Sequence, residues 1–279
     1  MCIKCLTHNQ HLTDTVLMTR TIALITGASS GIGASYARLL ADEADLVLVA
    51  RRADRLNDLA EEFRARGAAV EVLPADLTTR DGIAAVTDRL AAGDVRMLIS
   101  SAGVGGYAPL TDVDPADIDH LLTLNAVAPI QLVRAALPGM LAASEGTIVT
   151  VASLLAFSAG SMDPRAPRRT LYVAAKAAIL GFTRTLAGEL ADTPIRIQVV
   201  CPGVVATEWN GGVGHSIPWA MSPEDVATAS LAGLRLGETV CAPGLENDAT
   251  LEALLTAEND LVTGGNQPTL ATRYSGPER

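Results

Sequence analysis

Lysine is almost missing from this chain: its 279 residues include only Lys4 and Lys176. The other basic side chains are arginines, and the formal net charge is −10. Such a chain lacks the basic footprint that a phosphate backbone demands, so no nucleic-acid partner is expected. Aromatics are equally scarce, with two Trp, four Tyr and three Phe. Alanine is abundant instead, which suits helices packed closely on a sheet. No uninterrupted apolar run approaches the roughly 18 residues of a bilayer span, and no membrane partner is expected. The first twenty residues lack the apolar core of a signal peptide and carry His8, His11 and Asp14. The expected setting is the cytoplasm, with thiols reduced.

Cysteine is sparse as well, at four residues. Cys2 and Cys5 precede His8 and His11, and these are zinc-ligand types. Their spacing is tighter than in structural sites, and no apolar pattern surrounds them, so no metal is expected. Residues 1–18 read as a disordered leader, or as sequence upstream of a natural start at Met18. Residues 275–279 read as a tail. Cys201 and Cys241 each end an apolar run shortly before a proline and read as small buried hydrophobes.

What remains, residues 19–274, alternates strand and helix patterns. Strands are expected at Thr21–Thr26, Leu46–Ala50, Val70–Pro74, Val95–Ser100, Thr147–Ala152, Ile195–Cys201 and near Val240. Helices are expected at Ile32–Asp42, Arg52–Arg66, Asp81–Ala92, Pro115–Ala143, Tyr172–Ala191, Pro223–Leu236 and Leu251–Leu261. Continuously apolar strands alternating with helices predict one α/β domain, a Rossmann-like doubly wound parallel sheet covered on both faces.

The first strand runs into Thr26-Gly27-Ala28-Ser29-Ser30-Gly31-Ile32-Gly33 and then a helix. Glycines in that place allow a tight turn and close approach of the backbone to a pyrophosphate. The helix N-terminus then faces the anion. Gly27, Ser29, Ser30, Gly31, Ile32 and Gly33 are therefore candidate cofactor contacts. After the second strand, an acidic residue would bind a ribose 2′-hydroxyl and an arginine would accommodate a 2′-phosphate. Arg51 and Arg52 stand there, and Asp45 lies at the wrong end of the strand. The expected cofactor is NADP(H).

Tyr172 and Lys176 are four apart within a helical pattern, hence on one face. An ammonium beside a phenol favours the phenolate and should lower the tyrosine pKa. A tyrosine so tuned can exchange a proton with a ketone or an alcohol.

Taken in order, Thr26–Gly33, Asp76, Asn125, Ser153, Tyr172, Lys176 and Pro202-Gly203-Val204-Val205-Ala206-Thr207 resemble the short-chain dehydrogenase/reductase family, in its compact one-domain form. The resemblance runs from about Arg20 to Tyr274. It implies that Tyr172 is the general acid or base and that Lys176 lowers its pKa and holds the nicotinamide ribose. It implies that Ser153 hydrogen-bonds the substrate oxygen and that Asn125 holds a water relaying protons to Lys176. Asp76 would contact adenine and Thr207 the carboxamide. Leu77, Ala102, Gly103, Pro202, Gly203 and Val205 complete the implied cofactor site. The implied activity is NADPH-dependent reduction of a carbonyl to a secondary alcohol, or the reverse. Alternatives are a 3-oxoacyl thioester reductase and a non-catalytic NADP(H) sensor. The implied partners are a small, apolar ketone or alcohol and further copies of the chain, as a homodimer or homotetramer.

Two departures stand out. Ser100-Ser101-Ala102-Gly103 replaces the family's Asn-Asn-Ala-Gly run. Ser153 and Tyr172 are farther apart than usual, with the surplus in Ser158–Thr170, so Ser158 and Ser161 are alternative serines. That loop carries Arg165, Arg168 and Arg169, which could steer an anionic substrate. Substrate selection is expected from Leu154–Thr170, Val104–Pro109 and Glu208–Met221, the last a glycine-rich lid bearing Trp209 and Trp219.

Overall fold

The apolar runs become seven parallel strands in the order β3-β2-β1-β4-β5-β6-β7. They are β1 (Thr21–Thr26), β2 (Ala44–Ala50), β3 (Val70–Pro74), β4 (Val95–Ser100), β5 (Gly146–Val151), β6 (Ile195–Val200) and β7 (Val240–Cys241). The helices are α1 (Gly31–Leu40), α2 (Ala53–Ala65), α3 (Arg80–Ala91), α4 (Pro115–Leu122), α5 (Ala128–Ala143), α6 (Thr170–Glu189), α7 (Pro223–Leu236) and α8 (Ala249–Gly265). The computed structural model describes residues 20–160 and 168–274. The leader, its Cys2, Cys5, His8 and His11, Ser161, Arg165 and the tail lie outside the described residues.

Strand side chains alternate between two apolar layers. Ala23 and Ile25 of β1 face α1, α2 and α7, whereas Leu24 faces the layer that includes α3 and α5. Each fully buried Leu or Ile contributes roughly 1.5–3 kcal/mol relative to exposure. Parallel strands covered on both faces have no need of a polar side, which explains the largely apolar runs of β1, β2 and β5. Cys201 and Cys241 are both buried, and the Cys201 N–H donates to the Cys241 carbonyl at 2.7 Å. Burial pushes both thiols up to about 12, as inert core residues require.

Two elements differ from expectation. The helix expected over Pro115–Ala143 is continuous but widens into a π turn at Thr123–Val127. By length and composition this run could cross a bilayer. Here Leu132, Val133, Ala136 and Met140 are core residues against the sheet. The last helix, α8, extends four residues past the expected Leu261, and none of its residues is buried. An Arg184–Glu258 ion pair of 2.7 Å links it to α6.

Candidate active site

Because all strands run one way, their C-terminal ends share one edge. The strand order reverses direction between β1 and β4, and such a switch point opens a crevice for a ligand. Thr26, Ala50, Ser100, Val151 and Val200 end their strands along that edge.

The glycine-rich turn is shaped by close approach. Gly31 has φ +54°, and a Cβ there would lie 3.0 Å from the Thr207 methyl. Ser30 is the N-cap of α1, yet its side chain does not cap the helix. The first-turn N–H groups are thus left without that partner and can meet an anion. The Ser30 hydroxyl instead accepts from Arg52 Nη2 at 2.7 Å, and Ser29 Oγ accepts from the same guanidinium at 2.9 and 3.1 Å. Arg52 therefore leans over the turn, as its sequence position suggested. Arg51 is exposed, and its charge acts on Asp76. Burial alone would raise the Asp76 carboxyl, but two hydrogen bonds from Thr78, with Arg51 and His120 nearby, hold it below its ordinary range. Asp45 holds the opposite edge of β2, where it accepts from the Ala69 N–H and pairs with Arg20.

Ser153 follows β5 and opens a short 3-10 turn, Leu154–Phe157. Its hydroxyl oxygen accepts from the Leu155 N–H at 3.1 Å and stands 3.5 Å from the Pro202 carbonyl. Ser158 is engaged elsewhere, donating to the Leu155 carbonyl at 2.8 Å. Of these two serines, Ser153 is the one whose hydroxyl acts on the Tyr172 phenol, drawing its pKa down. Lys176 lies one turn along α6, with Nζ 5.7 Å from the centre of the Tyr172 ring and donating to the Val151 carbonyl at 2.9 Å.

The expected lowering of the Tyr172 pKa is not what this geometry gives. Burial pushes the phenol well above its usual range, Tyr107 adds to the rise, and only the Ser153 hydrogen bond opposes it. The lysine ammonium faces the ring and the Val151 carbonyl, so its charge does little for the phenolic oxygen. Burial in turn pulls Lys176 down to about 8.

Asn125 sits in the π turn. Its Oδ1 accepts from the Val104 N–H at 3.1 Å and its Nδ2 donates to the Val104 carbonyl at 2.9 Å. This pins the helix to the loop after β4. A Cβ on Gly103 would come within 2.7 Å of Asn125 Oδ1 and 3.5 Å of Lys176 Nζ, so only glycine fits between them. The structure thus gathers Asn125, Ser153, Tyr172 and Lys176 at the strand ends.

Three of the chain's few aromatic rings meet over the same point. Tyr107, Tyr172 and Trp209 form a triangle with centroid separations of 5.4, 5.7 and 5.5 Å. Trp209 opens a 3-10 turn, Trp209–Ser216, and its N–H donates to Thr207 Oγ1 at 3.3 Å. A bridge between Val205 and Met221 closes the base of that segment. Trp219 stays largely exposed.

Residues 21–217 match the family model for short chain dehydrogenases. The chain belongs to the short-chain dehydrogenase/reductase family. An uncharacterized oxidoreductase of Staphylococcus saprophyticus is 31% identical over 218 residues, covering 77% of this chain and 91% of that protein. A short-chain dehydrogenase from Sphingobium yanoikuyae, solved in complex with NADPH, superposes with a TM-score of 0.84 at 36% identity. It covers 91% of this chain and all of its own. A bulky-bulky ketone specific alcohol dehydrogenase from Comamonas testosteroni gives 0.82 at 31% identity, covering 91% of this chain and 98% of its own. The chain is thus an oxidoreductase of a family that works with a nicotinamide cofactor on a small molecule.

Within this short-chain dehydrogenase, the serine-for-asparagine departure after β4 has a local solution. The buried Thr26 hydroxyl accepts from the N–H groups of Ser101 and Ala102, both at 3.1 Å, joining β1 to that loop. The buried Leu77 belongs to the apolar layer with α3 and α5, and Ala102 packs against it. Pro202 and Gly203 follow β6 beside Ser153 and Leu154. Three residues were not singled out in the sequence reading, although Tyr107 and Glu208 lie in segments it gave to substrate selection: Tyr107, Arg55 and Glu208. Arg52 and Arg55 both bind the Glu208 carboxylate, at 2.8–2.9 Å. The only signal was an aromatic in one loop and an acid opening another.

Proposed function

We propose that this short-chain dehydrogenase is an NADPH-dependent carbonyl reductase, with Tyr172 as general acid. The observation that carries the reading is the buried Tyr172 phenol, with the Ser153 hydroxyl acting on it and Lys176 Nζ 5.7 Å from its ring centre. The nicotinamide would supply the hydride, or accept it in the reverse direction. Ser153 would orient the substrate oxygen toward Tyr172 and stabilise charge developing on it. The phenol is protonated at neutral pH and can donate to that oxygen. Lys176 and Asn125 would hold the ribose and the proton route behind the tyrosine. Asp76 and Thr207 would meet the adenine and carboxamide ends.

For the cofactor, the glycine turn, the uncapped α1 N-terminus and Arg52 over Ser29 and Ser30 fit a dinucleotide carrying a 2′-phosphate. The NADPH bound to the Sphingobium relative supports the same choice. For the substrate, the Tyr107–Tyr172–Trp209 triangle favours an apolar ketone with a ring or branched group that can replace one of the aromatic contacts. The bulky-bulky ketone specificity of the Comamonas relative agrees with that.

The deciding experiment is NADPH consumption across bulky aryl ketones, diketones and β-ketoacyl thioesters, with Tyr172→Phe alongside. Turnover of aryl ketones that is lost in the variant is expected. NADPH binding without turnover of any carbonyl would sink the reductase reading in favour of a cofactor sensor.

A further inference from the structure

Arg52 has two sets of partners on opposite sides. Nε and Nη2 donate to the Ser29 and Ser30 hydroxyls of the glycine-rich turn, while Nη1 donates to Glu208 Oε2 at 2.9 Å. Arg55 Nη1 donates to both Glu208 oxygens, at 2.9 and 2.8 Å. One carboxylate from the segment after β6 thus fills the free side of two guanidinium groups at the start of α2. Those hydrogen bonds, from Arg55 first and Arg52 second, hold the Glu208 carboxyl below its ordinary range, so it is an anion at neutral pH.

We infer that Glu208 is an internal competitor for the cofactor's 2′-phosphate and thereby sets how strongly the protein discriminates NADP(H) from NAD(H). This rests on the NADP(H) reading above. The two arginines carry two positive charges against one carboxylate. A phosphate monoester, with about −1.5 to −2 charges and three acceptor oxygens, is the stronger partner for that cradle. A 2′-hydroxyl offers no charge and cannot displace Glu208. Side chains at the pair are one-third to one-half exposed or more, so the competition is tunable and does not lock. The next residue, Trp209, has its ring centroid 5.5 Å from that of Tyr172. The residue that meets the cofactor's phosphate region therefore adjoins the residue that roofs the catalytic phenol.

The test measures binding by calorimetry at fixed ionic strength, with adenosine 2′-monophosphate and adenosine 5′-monophosphate as probes. Glu208→Ala should bind the 2′-phosphate about two- to fivefold more tightly than the unaltered chain, the range that exposed ion pairs account for. The 5′-phosphate should bind both proteins equally, and Glu208→Gln should move in the same direction as Glu208→Ala. If the 2′-phosphate is preferred but Glu208→Ala leaves its affinity unchanged, the competition is refuted and the NADP(H) reading stands. If neither protein prefers the 2′-phosphate over the 5′-phosphate, the NADP(H) reading fails and takes this inference with it.

Discussion

Pro129 stands four residues after Asn125, where an α-helix would place the N–H that serves the Asn125 carbonyl, and proline has none to give. The Ala128 N–H reaches back five residues to Thr123 instead, and the helix widens into its π turn. Such turns collect at functional sites because they re-aim a side chain. Here the re-aimed side chain is Asn125, clamped on Val104 beside Gly103 and Lys176. Pro129→Ala should let the ordinary ladder close and swing the amide away. We expect kcat to fall at least tenfold while far-UV circular dichroism is unchanged; an unaltered kcat would contradict this role for the turn.

Lys176 should make stability depend on pH in a defined direction. Its folded pKa of about 8 lies below the unfolded value of about 10.4. Between these values the unfolded chain binds more protons, so this group's contribution to stability rises with pH. Lys176→Met has no such term. The stability of the parent relative to the variant should therefore improve by roughly 2 kcal/mol between pH 7 and 9.5, from about 1.36 kcal/mol per pKa unit. Urea titrations of both proteins at the two pH values measure it. A gap that stays constant would mean that Lys176 titrates near its ordinary value.

Ser153 and Ser158 can be told apart by their partners. The Ser153 hydroxyl acts on the Tyr172 phenol, while Ser158 closes a turn on Leu155. Ser153→Ala should lower kcat/KM by about 10²–10³, the size typical of losing one donor to a developing oxyanion. Ser158→Ala should stay within about twofold of the parent, since surface substitutions seldom exceed 0.5 kcal/mol. The reverse ranking would shift the catalytic serine into the longer loop.

Arg51 and Arg52 should differ as well. Arg52 contacts the glycine-rich turn; Arg51 acts on Asp76 through its charge alone. Arg52→Ala should raise the KM for NADPH roughly tenfold to a hundredfold, as loss of charged hydrogen bonds does, with little change for NADH. Arg51→Ala should have the smaller effect. Equal losses for both cofactors in Arg52→Ala would argue against a 2′-phosphate contact.

Much of this architecture was legible because long-range order here follows from local pattern. β1, β3 and β4 begin and end at the residues the apolar runs marked. The meeting of Asn125, Ser153, Tyr172 and Lys176 followed from family order. Three features escaped. The π turn needed Pro129 to be read against Asn125, four residues earlier, and not only as part of one long helix. The phenol's raised pKa depends on how deeply Tyr172 is buried and where Lys176 Nζ points, neither of which spacing records. Glu208 meets Arg52 across 156 positions of sequence, a contact made where the segment after β6 reaches the start of α2 and not by any local signal.

The burial of Lys176 has a practical side. Between residues 20 and 274 the chain offers acylating agents and aldehydes a single side-chain amine, and that amine is buried, 5.7 Å from the centre of the Tyr172 ring. A reagent that modifies it must first find the cleft floor open. The rate at which Lys176 becomes labelled is therefore a clock for opening of the catalytic centre, readable by mass on the peptide that contains it, without substrate or cofactor.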